Sequence, residues 1–178
     1  IGPNGNVILR YHRLTSCFEP TPHDVWDKYL GIYGEESVFP VAKTEIGNLG
    51  TIASEEILYP EITRCLALRG AEVILHPTSE PGSAELTIKE VCRRARAIEN
   101  QVFVVAANSA SIDDTPIPAY TCSAMSKIVD FNGHVLAEAA QGGEAFNSNA
   151  VIDIGALRRT RRRTAMSNVM SRQPFDIY

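Results

Sequence analysis

The chain lacks most of the features that assign a sequence quickly. No apolar run approaches the roughly 20 residues that a bilayer-spanning helix needs. No charged-then-apolar leader marks it for secretion. The four cysteines, Cys17, Cys65, Cys92 and Cys122, include no C-x-x-C pair. That spacing argues against a zinc site or a disulfide framework and favours small core residues in a reducing, cytoplasmic compartment. There is no G-x-S-x-G elbow, no Walker loop and no Rossmann fingerprint. Internal repeats and low-complexity linkers are missing too. The formal net charge of −4 gives no global pull toward nucleic acid or an anionic membrane. An initiator Met is also absent: the chain opens in a turn, Ile1-Gly2-Pro3-Asn4-Gly5-Asn6, followed at once by an expected strand from Val7 to Tyr11. A chain that opens mid-hairpin reads as the later part of a longer protein.

What is present describes an ordinary globular domain. The 178 residues are 44% hydrophobic and 21% charged. A single domain of this length buries about 70% of its extended surface. Strands are expected over Val38 to Thr44 and Leu49 to Ala53, either side of the Ile46-Gly47 turn. Pro60 suits the first turn of a helix, which Ile62, Cys65 and Leu66 continue and Gly70 stops. Ala71 to His76 reads as a short apolar strand ended by Pro77. Thr87 caps a second helix whose small or apolar positions Ile88, Val91, Cys92, Ala95 and Ile98 follow the 3.6 period to Asn100. Val102 to Ala107 is a continuous apolar run, as in a strand buried on both faces. Ser126 to Phe131 and His134 to Ala137 form a hairpin about Asn132-Gly133. A last strand is expected over Ala150 to Ile154, with a short basic helix from Gly155. Alternating βα units followed by hairpins predict an α/β sandwich.

The most informative segment is Gly47-Asn48-Leu49-Gly50-Thr51-Ile52-Ala53-Ser54-Glu55-Glu56-Ile57-Leu58-Tyr59-Pro60-Glu61: a strand, a sharp turn and a helix start. It resembles the segment of the nitrilase (carbon–nitrogen hydrolase) superfamily that presents the catalytic cysteine six residues before a Pro-Glu signature. Counting back from Pro60 lands on Ser54. The resemblance extends along the chain in the family's order. It takes in Gly5-Asn6-Val7 through Tyr11-His12-Arg13-Leu14, then Ala67 to Pro77, Arg94 to Asn100 and Ala107-Asn108. Ser126 to Asp130 with Gly133 to Ala137 completes it.

The resemblance implies a four-layer α-β-β-α sandwich lacking its N-terminal part, with residues 1–178 as the C-terminal portion of a carbon–nitrogen hydrolase domain. It also implies Glu–Lys–Cys catalysis on a small amide or nitrile. In that chemistry a thiolate attacks, a Glu serves as base and a Lys stabilises the oxyanion. Neither a cofactor nor a metal is implied, and a homodimer or higher homo-oligomer is.

Carried over residue by residue, Ser54 takes the attacking position. Arg13 takes the lysine position, keeping the charge but not the shape of an ammonium. Glu19 is the candidate assisting acid, and the general-base Glu would belong upstream of Ile1. A serine hydroxyl is a far weaker nucleophile than a thiol and needs an adjacent base, for which Glu55 and Glu56 are the neighbours at hand. His76, Thr78, Ser79 and Asn108 are pocket candidates by position. His76 has a structural histidine as its alternative reading. The competing function is a non-catalytic homologue that binds a small amide or serves as an assembly subunit. The run Arg158, Arg159, Arg161, Arg162 and Arg163 lacks interleaved aromatics, so a solvated or subunit-contacting arm is expected rather than a nucleic-acid contact. His12, His23 and His134 stand too far apart to argue a metal site. Glu99 is expected to pair with Arg94 or Arg96.

Overall fold

The computed structural model describes residues 1–16, 20–80, 88–110, 114, 125–139, 147–164, 166–174 and 176. Among the described residues, six strands form one mixed sheet in the order β1 (Ala42–Thr44), β2 (Gly47–Thr51), β3 (Val73–Thr78), β4 (Phe103–Asn108), β5 (Lys127–Val129) and β6 (Val135–Glu138). The three central strands β2, β3 and β4 run parallel; β1 and β5 flank them antiparallel, and β6 pairs antiparallel with β5. The parallel pairs are joined by helical crossovers, α2 (Pro60–Leu68) from β2 to β3 and α3 (Ile88–Asn100) from β3 to β4. This is the α/β architecture that the βα alternation predicts.

Alternate residues of the strands divide the core. Ile74, Val104 and Val129 point to one face, where they pack with Ile62, Leu66 and Ala67 of α2 and Ala97 of α3. Val73 and Phe103 point to the other, where Leu157 of α4 (Ile154–Arg162) covers them beside half-buried Leu49, Leu75 and Val105. The period-2 alternation of a strand thus serves two packing surfaces at once. Arg96, expected to pair at the helix end, pairs with Glu99 at 2.8 Å.

The structure departs from the expected elements at several places, among them β1, which starts at Ala42 rather than Val38. Val7 to Tyr11 is not a strand: Val7 and Ile8 are exposed and the segment is irregular. It is held by side chains instead, with Tyr11 bonded to Glu56 and His12 Nδ1 3.2 Å from the Tyr29 hydroxyl. Residues 150–153 are also irregular, because Asp153 caps α4 by accepting from the Ala156 N–H at 2.8 Å, which commits Ile154 to the helix. β3 continues through Pro77 to Thr78, since Pro77 keeps the extended backbone and its register with Ala107. Finally, a helix α1 (Trp26–Tyr33) stands where no element was expected. Gly34, at φ 75°, closes it by donating its N–H to Leu30 O, a left-handed cap that suits glycine. Its Tyr29 and Tyr33 rings close over His12.

Candidate active site

The carboxyl ends of the parallel strands lie at one edge of the sheet, the edge at which open α/β sheets place ligands. Ser54 follows β2, Thr78 ends β3 with Ser79 next after it, and Asn108 ends β4 opposite Thr78 in register. Four of the residues singled out in the sequence therefore share one edge.

Ser54 opens a short 3-10 turn, Ser54–Leu58, with φ at +51°. A non-glycine residue in this left-handed region costs roughly 1–2 kcal/mol, so its surroundings must hold it there. Two side chains do so. Glu56, fully buried, accepts from the Ala53 N–H at 2.7 Å. From beneath, His76 Nε2 lies 2.8 Å from the Ser54 carbonyl oxygen. Arg96 then pins the far end of the turn by donating to the Ile57 and Leu58 carbonyls at 3.1 and 3.0 Å.

The same Glu56 carboxylate draws the N-terminal segment in. Its Oε1 accepts from the Tyr11 hydroxyl at 2.8 Å, the Leu14 N–H at 2.6 Å and the Thr15 N–H at 3.3 Å. Arg13, bracketed by those donors, forms an ion pair with Glu55. One carboxylate thus brings the chain on either side of Arg13 up to the chain preceding Ser54, and Glu55 holds the guanidinium beside the turn.

Below the turn lies a buried set of charges that sequence reading did not find. Arg93 is fully buried, and its Nη2 meets Glu80 at 2.8 Å. Arg93 also pairs with Glu90, which in turn pairs with Lys127. Arg93 Nε stands 3.4 Å from His76 Nδ1. Burial pushes His76 down to about 4, with the Arg93 and Lys89 charges acting in the same direction. The ring is therefore neutral, and the carbonyl partner requires Nε2 to carry its proton.

The predicted site residues that the structure describes each have a definite place. Ser54 and Arg13 are half-buried and are brought together through Glu55 and Glu56. Glu19 lies outside the described residues. His76 is fully buried under the turn, whereas Ser79 is exposed. Thr78 is half-buried, as is Asn108, which accepts from the Glu80 N–H at 2.8 Å. Glu56 is a structural hub rather than a group open to a ligand.

The Arg run divides differently from a solvated arm. Arg158 donates twice to Glu72, at 2.6 and 2.9 Å, and Arg161 donates to the Ala71 and Gln101 carbonyls at 2.7 and 3.0 Å. Both staple α4 to the crossovers, while Arg159, Arg162 and Arg163 remain exposed.

The carbon–nitrogen hydrolase family profile matches residues 1–162. The chain belongs to this family. It is 33% identical over 164 residues to the deaminated glutathione amidase of Homo sapiens, covering 91% of this chain and 48% of that protein. Among solved structures, a carbon–nitrogen hydrolase from Helicobacter pylori G27 superposes with a TM-score of 0.64 at 25% identity, over 83% of this chain and 56% of that one. An amidase from Nesterenkonia sp. AN1, trapped with an acetamide moiety on its active-site cysteine, superposes with a TM-score of 0.51 at 26% identity. That match takes in 58% of this chain and 38% of the amidase. The six-stranded sheet with its helices is thus that of the nitrilase fold, and the chain spans less than half the length of the curated relatives it matches.

Proposed function

We propose that this chain carries the attacking half of an amidase-type carbon–nitrogen hydrolase site, with Ser54 at the attacking position. The observation that carries the reading is the strained left-handed turn at Ser54, held at the carboxyl edge of the sheet beside the Arg13–Glu55 ion pair. Strain of this kind persists where the surroundings over-determine it, and it collects at functional sites. In this reading the Ser54 hydroxyl attacks the carbon of a small amide or nitrile. Glu55, the next residue along the chain, takes its proton, and Arg13 stabilises the negative charge that develops on the amide oxygen or the nitrile nitrogen. Thr78, Ser79 and Asn108 border the place where the substrate would sit. The relatives' names support an amide substrate, the human one being a deaminated glutathione amidase.

A second reading is favoured by one observation: the guanidinium of Arg13 is already paired with Glu55. A site whose acid and cation neutralise one another would bind a small amide without turning it over. The same proposal includes self-association, supported by Leu68 of α2 and Val91 and Ile98 of α3, all exposed.

The deciding experiment measures ammonia release from a panel of amides and nitriles by the parent chain and its Ser54→Ala and Ser54→Cys variants. Release lost in Ser54→Ala establishes a serine hydrolase. Release only from Ser54→Cys shows a site that is intact but disarmed. Silence from all three, with thermal stabilisation by an amide, establishes the binding reading.

A further inference from the structure

We infer that His76 is a positioning residue: its Nε2–H, held in that tautomer by Arg93, fixes the Ser54 carbonyl and with it the turn that presents the residue-54 side chain. The inference rests on the reading that position 54 faces the substrate.

Three observations carry it. The contact is short, with 2.8 Å between His76 Nε2 and Ser54 O. A carbonyl oxygen only accepts, so the ring must donate. The opposite nitrogen faces Arg93 Nε at 3.4 Å, and a guanidinium only donates, so Nδ1 must be bare. The ring thus has a donor on one side and an acceptor on the other, leaving one tautomer that satisfies both.

The support is itself immobile. Arg93 is held by Glu80 from the segment after β3 and by Glu90 from its own helix, and Glu90 is held by Lys127 of β5. All four charged side chains are buried, and Lys127 also pairs with Glu138 of β6. A mutually paired, buried cluster of this kind is costly to break at any one member, which makes it a rigid footing for the ring. It gives no surface to a ligand, so its use is mechanical. The backbone of residue 54 is tied at its carbonyl by His76, and that of Ala53 at its N–H by Glu56. A left-handed residue held on both sides keeps its side chain pointed in one direction.

The test uses the thiol introduced by Ser54→Cys as a reporter that needs no turnover. Its rate of alkylation by iodoacetamide, read at residue 54 by peptide mass spectrometry apart from the four native cysteines, is compared with those of Ser54→Cys/His76→Phe and Ser54→Cys/His76→Gln, with thermal melts confirming that each is folded. Phe keeps the bulk and removes the donor, whereas the Gln amide restores a donor at the reach of Nε2. Misplacing a reacting group by about 1 Å can cost on the order of a hundredfold, so His76→Phe is expected to slow alkylation about tenfold or more and His76→Gln to stay within about threefold. Equal rates in all three folded proteins overturn the inference, as does a Gln variant as slow as the Phe variant.

Should His76→Phe fail to fold, the parent chain decides the matter. Imidazole 15N shifts near neutral pH are expected to show Nε2 protonated and Nδ1 bare, and the reverse pattern overturns the inference. Neither readout depends on amide hydrolysis, so failure of the hydrolase reading and failure of this one are told apart.

Discussion

The Tyr11 hydroxyl donates to Glu56 Oε1 at 2.8 Å across 45 positions of chain. Burial and the carboxylate together hold the Tyr11 phenol well above its ordinary range, so it stays a donor at any working pH. With the Leu14, Thr15 and Ala53 N–H groups, this bond makes Glu56 the common anchor of both halves of the site. Glu56→Gln would turn an amide N–H toward groups that themselves donate. The expected cost is about 2–4 kcal/mol of unfolding free energy, and Tyr11→Phe should cost about 1–3 kcal/mol. Urea unfolding measures both. A Gln variant as stable as the parent would remove Glu56 from this role.

His76 gives the fold a pH dependence of definite sign. In the unfolded chain it takes up a proton near pH 6.5, whereas in the folded chain it resists protonation down to about 4. It is enclosed by Arg93 and Lys89 from α3 and by Glu80, besides the Ser54 carbonyl. Between these two pH values the unfolded state binds the extra proton, so stability falls as pH falls, by up to about 1.4 kcal/mol per unit. Above pH 6.5 the term is absent. Thermal midpoints measured across this window should flatten in His76→Gln, and an unchanged slope would show that another group governs it.

Glu72 contributes with the opposite chemistry. The Arg158 hydrogen bonds hold its carboxyl below the usual range despite burial, and the Asn48 N–H adds a further bond at 2.9 Å. A depressed carboxyl stabilises the fold above its unfolded value, and the contribution is lost as pH falls through its folded value. Glu72→Gln should therefore cost about 1–3 kcal/mol at neutral pH and progressively less in acid. Arg158 is half exposed, so Arg158→Ala should cost less than Glu72→Gln. Equal losses from the two substitutions would show that Glu72 acts through Arg158 alone.

Gly133 turns the β5–β6 hairpin at φ +84°, and a Cβ there would meet Ile98 Cδ1 at 2.6 Å and Cγ1 at 2.8 Å. Gly133→Ala is expected to cost about 1–3 kcal/mol. Adding Ile98→Ala should recover part of that loss, and a double-mutant cycle by denaturant unfolding measures how much. Strict additivity would mean that the backbone angle, rather than the clash, carries the whole cost.

Much of this was legible in the residues. The apolar run of β4 and the Asn132-Gly133 turn are local signals, and the elements stand where those signals place them. The spacing from Pro60 located the Ser54 turn for the same reason. The period of α3 locates the helix but not its buried face, which is Glu90, Arg93, Arg96, Ala97 and Asn100, while Ile88, Val91 and Ile98 are exposed. Val7 to Tyr11 misled because an apolar stretch reads as a strand only if a neighbour pairs with it, and here Tyr11 turns to Glu56 instead. Ile154 misled because the Asp153 cap outweighs an apolar run. The cluster of Glu80, Glu90, Arg93 and Lys127 was illegible on other grounds. Each residue looks like a solvated charge until tertiary packing buries all four together, and no sequence period records that.

Arg161 reaches back 60 and 90 positions to the Gln101 and Ala71 carbonyls, at the turns that lead into β4 and β3. A ribosome delivers the sheet's middle strands long before it delivers the cation that fastens them. The crossovers must first hold by their own apolar packing, and the last helix then shuts across them like a clasp.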